Sequence, residues 1–285
     1  MTPLPLSDGR HAGAWGARER ALASGAACLI TLAVIAIAAV MLTPNSAGLD
    51  VAARLRPPSG AHWFGTDALG RDLFARTLAG LWLSLRVGLL ASAISTAIAV
   101  LLALLAVAGG RMADACVSYL VDMILGLPHL MLLILVSFAL GGGTTAVIVA
   151  VALTHWPRLT RILRAELKQV LTSDYVHASR RFGRSWTYIA RAHLLPHAAP
   201  QALVGFLLLF PHAILHEAGL TFLGFGFEPS LPAIGVLLAD SLRTLSAGHW
   251  WLGLFPGLCL VAMVLLFDGL AAGLRAILSP KEGQL

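Results

Sequence analysis

The chain has 285 residues, of which 58% are hydrophobic and only 12% charged. Soluble domains carry about 25% charged residues, so a soluble fold is excluded and lipid is the solvent for most of the surface. The formal charge of +6 is set by membrane topology and is no nucleic-acid signal.

Met1–Arg20 is a polar cytoplasmic tail. Ala21–Leu42 follows with 22 residues and no charge. That is too long for the apolar core of a signal peptide and long enough to span, so it reads as an uncleaved first transmembrane helix. Residues 43–80 form an extracytoplasmic loop, and residues 81–275 hold five further spans. Val87–Ala108 is the second apolar run, with its helix starting near Leu81. Val117–Leu140 is the third, interrupted by Asp122 and Pro128. Ala146–Trp156 is short and must borrow flanking residues to cross. Ala198–Leu215 and Trp250–Phe267 are the fifth and sixth, the last opening on the interfacial pair Trp250 and Trp251. Residues 276–285 are a cytoplasmic tail. The expected fold is therefore all-α, with six membrane helices.

Loop charges orient it. With the N-terminus in the cytoplasm, 14 of the 20 Lys and Arg residues lie inside, as the positive-inside rule favours. Both termini and the segment 174–196 are then cytoplasmic. Cys28, Cys116 and Cys259 are scattered in or beside apolar segments, which fits small buried hydrophobes rather than a disulfide framework or a metal site.

Asp174–Pro196, DYVHASRRFGRSWTYIARAHLLP, is a charged island between apolar runs. At helical period, Tyr175, Ala178, Ser179, Phe182, Trp186 and Ile189 share a face, with Arg180, Arg181, Arg184 and Arg191 around the rest. Asp174, preceded by Ser173, is the expected N-cap. Gly183 divides the pattern into two short helices, and Pro196 ends the segment. Two readings stay open on these grounds. One is an amphipathic element lying on anionic lipid; the other is a docking helix whose Phe182 and Trp186 enter a groove on a soluble partner.

The island resembles the EAA loop of ABC-importer permeases: Glu-Ala-Ala, three residues, Gly, nine residues, Ile, one residue, Leu-Pro. Ala178, Gly183, Leu195 and Pro196 match at that spacing, while His177, Ser179 and His193 replace Glu, Ala and Ile. The segment Gly65-Thr66-Asp67-Ala68-Leu69-Gly70-Arg71-Asp72 is similar to the GTDxxGRD signature of dipeptide, oligopeptide and nickel permeases. Asp114, Asp122 and Pro128 resemble their third-span entry, and Glu217–Gly226 resembles their EAxLSFLGLG turn. Phe255-Pro256-Gly257 and Gly273-Leu274-Arg275 with Pro280 complete the pattern; Ile234 stands for a Trp, and Ala271-Ala272 for Gly-Asp. The chain looks like the second, short-N-terminus permease type.

The resemblance implies a permease subunit of an ATP-driven importer for peptides or chelated nickel-type metals, multi-pass in a bacterial cytoplasmic membrane. It implies a second permease subunit, two ATPase subunits that bind ATP and Mg²⁺, and an extracytoplasmic substrate-binding protein. Carried over residue by residue, ATPase coupling falls on Val176, His177, Ala178, Ser179, Phe182, Gly183, Trp186, Leu195 and Pro196. The extracytoplasmic motif is Gly65, Thr66, Asp67, Gly70, Arg71 and Asp72.

Physical readings stand beside these. The 65–72 turn either caps and locks the start of the second span or touches a delivery protein. Asp114 and Asp122 are costly in lipid and pair with Arg111 or Arg161, or serve gating. Gly224, Gly226, Pro229 and Pro232 form an irregular stretch buried against protein. No GxxxxGK[ST] occurs, so the chain supplies no phosphate loop and holds no cofactor of its own. Gly141–Thr145 lacks the lysine, and His216-Glu217 begins an HExxH that fails at Leu220. A stand-alone secondary transporter or channel for a small polar solute is the alternative class; it calls for intramembrane charges arranged as an ion relay. The remaining histidines, His129, His155, His212 and His216, lie in or beside apolar segments. They serve as polar lining and helix–helix hydrogen bonds, or as contacts for a metal chelate; His212, His216 and Glu217 are the candidate substrate path.

Overall fold

The structure is a computed structural model and describes residues 11–42 and 48–278. The outer part of the N-terminal tail, residues 43–47 and the C-terminal stretch with Pro280 lie outside the described residues. Among the described residues the architecture is helical: α1 His11–Leu42, α2 Leu73–Ala108, α3 Gly110–Leu125, α4 His129–Ala139, α5 Gly143–Leu171, α6 Asp174–Arg181, α7 Trp186–Ile189, α8 Leu195–Phe222, α9 Ile234–Leu245 and α10 Trp251–Leu278.

Among the described residues, five stretches are long and apolar enough to cross a membrane: Leu22–Leu42, α2, α5, the run Trp186–Phe222 and α10. The third expected span differs from a single rod. α3 and α4 are long and apolar enough to cross only as a pair, bent by 95° at their junction. Pro128 restricts Leu127 and has no N–H to offer, so the helix stops at the Gly126 cap and restarts at His129.

α5 is the span that apolar counting reads worst, with a mean hydropathy of only 1.2. Its surroundings explain this: 67% of its most apolar stretch is buried inside the protein, against 11% for the lipid-facing first span. A helix wrapped by other helices has less need of a lipophilic surface.

Close packing comes from small residues. Along α2, Ser84, Gly88, Ser92, Ser95, Ala99 and Ala103 recur every three or four positions and are all buried. A Cβ on Gly88 would sit 2.9 Å from both Ile214 and Phe210 of α8, and one on Gly205 of α8 would sit 2.4 Å from Leu159 of α5. Where lipid tails are as apolar as the side chains, such close approach is the main source of helix association. Leu32 and Ala39 of α1 pack in one cluster with Leu260, Met263 and Phe267 of α10. The stretch after α8 is irregular, as expected. Ser137 Oγ donates to Phe225 O at 2.7 Å, Gly143 N to Gly226 O at 3.1 Å, and Phe227 N to Thr221 Oγ1 at 3.2 Å.

Candidate functional site

The island at 174–196 is two helices at a glycine bend. Gly183 has φ +71°, a conformation open to glycine and costly for most L-residues. Ser173 rather than Asp174 occupies the N-cap position of α6; Asp174 sits in the first turn, where its charge suits the helix dipole. Ser185 caps α7 by accepting from Tyr188 N at 3.3 Å. Pro196 does not end the segment. A π-type turn, Ala190–Leu194, carries the chain straight into α8, with Pro196 in the first turn where a missing N–H is tolerated.

Three side chains anchor the island. Val176, Ile189 and Leu194 are at most 1% exposed and join Leu163, Leu167 and Val170 of α5 in one cluster. Val176 is thus a root of the island, not part of its surface. Phe182 stands at the bend 83% exposed, with Trp186 and Tyr188 half-exposed beside it. The Arg180 guanidinium lies 3.9 Å above the Trp186 ring and Arg184 lies 4.8 Å above Tyr188, so cations hold the aromatic rings in place. His177, Ala178, Leu195 and Pro196 are exposed as well. The two departures at Ser179 and His193 prove to be one feature: Ser179 Oγ and His193 Nε2 share a hydrogen bond of 2.8 Å across the bend.

The 65–72 motif is a caged carboxylate. Asp67 Oδ1 accepts from Leu69 N at 2.8 Å and Arg71 N at 3.0 Å. Its Oδ2 accepts from Arg71 Nε at 2.7 Å and from Arg76 Nη1 of α2. Burial alone would raise the Asp67 pKa, but these donors and the two guanidinium charges hold it below the ordinary carboxylate value. Asp72 caps α2 through Ala75 N at 2.9 Å and takes His62 Nδ1 at 2.8 Å. Thr66 bridges to Asp72 and accepts from Arg56 N at 2.9 Å. Gly65 (φ +78°) and Gly70 (φ +76°) are forced: a Cβ would come 2.6 Å from Arg56 O at the first and 1.7 Å from Asp50 O at the second.

The acidic residues of α3 pair with α5. Asp122 accepts from Arg161 at 2.6 Å; Asp114 binds Arg164 Nη2 at 2.8 Å and Lys168 at 2.7 Å. Arg164 and Lys168, which spacing did not single out, take the place expected for Arg111.

Of the three residues grouped as a substrate path, Glu217 parts from the two histidines. Glu217 is 1% exposed and faces α2, accepting from Ser84 Oγ at 2.6 Å and Thr221 Oγ1 at 3.2 Å. His212 is exposed, its Nδ1 3.0 Å from Leu208 O. His216 instead meets His129 and His155, with ring centroids 4.7 and 5.1 Å away. That convergence needs three helices, and sequence spacing holds no signal for it.

The family described as binding-protein-dependent transport system inner membrane component matches residues 74–281. The dipeptide transport system permease protein DppC of Bacillus subtilis (strain 168) is 36% identical over 259 residues, covering 90% of this chain and 81% of its own. A Brucella suis biovar 1 chain named for peptide permeases is 37% identical over 239 residues, covering 84% and 78%. A chain in the crystal structure of an amino acid ABC transporter with histidines superposes with TM-score 0.54 at 19% identity, over 70% of this chain and 92% of that one, which speaks to the fold alone. The protein belongs to the binding-protein-dependent inner-membrane permeases: it is a multi-pass transport component of a bacterial ABC importer, which implies an ATPase and a substrate-binding protein as partners.

Proposed function

We propose that this chain carries peptides inward, paired with a second permease subunit and driven by two ATPase subunits that hold the ATP and Mg²⁺. The peptide cargo is supported by the relatives named for dipeptide and peptide transport. Both termini and the island face the cytoplasm in this reading, supported by the placement of 14 of the 20 Lys and Arg residues. The coupling role of residues 176–196 rests on one observation above all: an 83% exposed phenylalanine, Phe182, tops an element whose Val176, Ile189 and Leu194 are buried in the core. Such an element transmits force, because its root is packed on α5 and its end runs unbroken into α8. The 65–72 motif acts as a lock on the start of α2 beneath the surface that meets the delivery protein. A chelated metal is the second cargo reading, favoured by the imidazoles that gather around His155.

Reconstitution in proteoliposomes with the cognate subunits tests the coupling role. A Cβ on Gly183 would meet nothing within 4 Å, so the strain of a Gly183→Trp chain lies in the bend itself, and co-purification with the partner subunits checks that it still inserts and assembles. Its dipeptide uptake is expected to fall at least about tenfold while ATP hydrolysis continues, a separation of 1.4 kcal/mol or more. Normal uptake by Gly183→Trp would remove the island from the coupling path.

A further inference from the structure

His129 opens α4 directly after the break with α3, His155 lies mid-way along α5, and His216 lies in α8. Their ring centroids are 4.6, 4.7 and 5.1 Å apart, and one nitrogen from each falls within 4.8 Å of the other two. An imidazole–imidazole hydrogen bond is the simplest reading of the His129 Nε2–His155 Nε2 distance of 3.4 Å. That distance is beyond the usual 2.7–3.2 Å range for nitrogen donors. It matches one edge of a tetrahedron whose centre lies about 2.0–2.1 Å from each nitrogen, the bond length of histidine to zinc, and the His216 nitrogen, within 4.8 Å of both, closes onto the same centre by a small side-chain adjustment.

The proton on His155 points the same way. Its Nδ1 lies 2.9 Å from Val151 O and 3.1 Å from Thr154 Oγ1. Donation from Nδ1–H to the carbonyl leaves the Nε2 lone pair directed at the other rings, the arrangement that orients metal-binding histidines. The donor set is three imidazoles. Glu217, next to His216, is turned away to Ser84 and Thr221. Neutral nitrogen ligands suit zinc, nickel, cobalt and copper rather than magnesium or calcium. With no carboxylate in the set, a bound dication keeps its charge, so its fourth position favours an anionic or amine ligand.

We propose that His129, His155 and His216 form a binding site for a late first-row divalent cation with one open coordination position. The cation reaches it either free or inside a small amino-carboxylate chelate. Bound there, it ties α4, the short helix after the 95° bend, to α5 and α8. The site does not rest on the peptide reading.

The test uses the assembled importer, free of polyhistidine tags, stripped with chelator and held in lipid nanodiscs. It is titrated with NiCl₂ or ZnCl₂ alone, and in a second arm with the nickel–histidine complex. One cation per copy of this chain is expected, with an X-ray absorption edge fitted by three imidazole nitrogens at about 2.0–2.1 Å. His129→Ala and His216→Ala, at half-buried rings, should each weaken binding at least about tenfold, as ligand loss does. His212→Ala, one turn from His216 and outside the three-ring set, should weaken it far less. Binding of the chelate with histidine retained in the coordination shell identifies the chelate as the source; capture of the bare ion alone identifies the free cation. Absence of binding in the unaltered complex, or binding that survives the His129→Ala/His216→Ala double change, overturns the site. Dipeptide uptake measured on the same variants keeps the two questions apart, since a lost cation with intact uptake leaves the peptide reading standing.

Discussion

Gly183, Gly70 and Asp67 carry the sharpest consequences of single side chains. At Gly183 the strain is in the backbone, not in contacts, so Asn, which tolerates the left-handed region, should retain most function and Ala less. At Gly70 both strain and collision operate: a Cβ 1.7 Å from Asp50 O should cost roughly 3 kcal/mol or more and lower the melting temperature in detergent sharply. A Gly70→Ala chain that melts with the parent would refute the cage drawn around the 65–72 turn. Asp67→Asn removes the hydrogen-bonded counter-charge of Arg76, which is 2% exposed, leaving the more distant Asp240, so the change should cost part of the roughly 3–5 kcal/mol of a broken buried pair. Because the folded pKa of Asp67 is held below its ordinary 3.8, its ionised form supports the fold fully above that value. The support is lost as pH falls through the lower folded value. Melting temperatures of the parent should therefore decline with acid in that window, and the Asp67→Asn chain should lack this component. Ser179 and His193 were visible in the sequence only as two unrelated departures from a motif. Their shared hydrogen bond of 2.8 Å makes them a pair, and a double-mutant cycle on Ser179→Ala and His193→Ile should give a coupling of about 0.5–1.5 kcal/mol. Strict additivity would dissolve the pair.

Elements were legible in proportion to how much lipid they touch. The first span, exposed to lipid, announces itself as a charge-free run. α5 does not, because protein rather than lipid surrounds most of its apolar stretch, and its ionic end, with Arg161, Arg164 and Lys168, pairs with α3. The break at Pro128 was readable as an interruption, but its 95° angle and the packing of Leu133 in α4 against Val147 and Val151 of α5 were not. The small-residue stripe of α2 carries no charge or motif, and only its burial reveals its role. Filling it is the test: Gly88→Leu or Gly205→Leu must displace Ile214, Phe210 or Leu159. Each should cost about 1–3 kcal/mol by overpacking, seen as a lower melting temperature with insertion retained. Unchanged stability would mean that α2, α5 and α8 are not packed this closely.

Across the whole molecule, motif spacing located the island, the 65–72 turn and the family. It could not group residues that meet only through the tertiary fold. His129, His155 and His216 come from positions 87 residues apart at the extremes, while Glu217, the neighbour of His216 in sequence, faces Ser84 and Thr221. The molecule is a bundle whose interior elements α2, α5 and α8 pass from the caged turn at one end to the island at the other. A rocking of that bundle is driven through Phe182 if the island is the dock. The direct measurement is photo-crosslinking in native membranes from a benzophenone amino acid placed at Phe182, the most exposed large ring of the island. The expected result is an adduct with the ATPase subunit whose yield changes with ATP, a change that Gly183→Trp abolishes. Adducts confined to lipid, insensitive to nucleotide, would mean that the island merely lies on the membrane and that the stroke enters elsewhere.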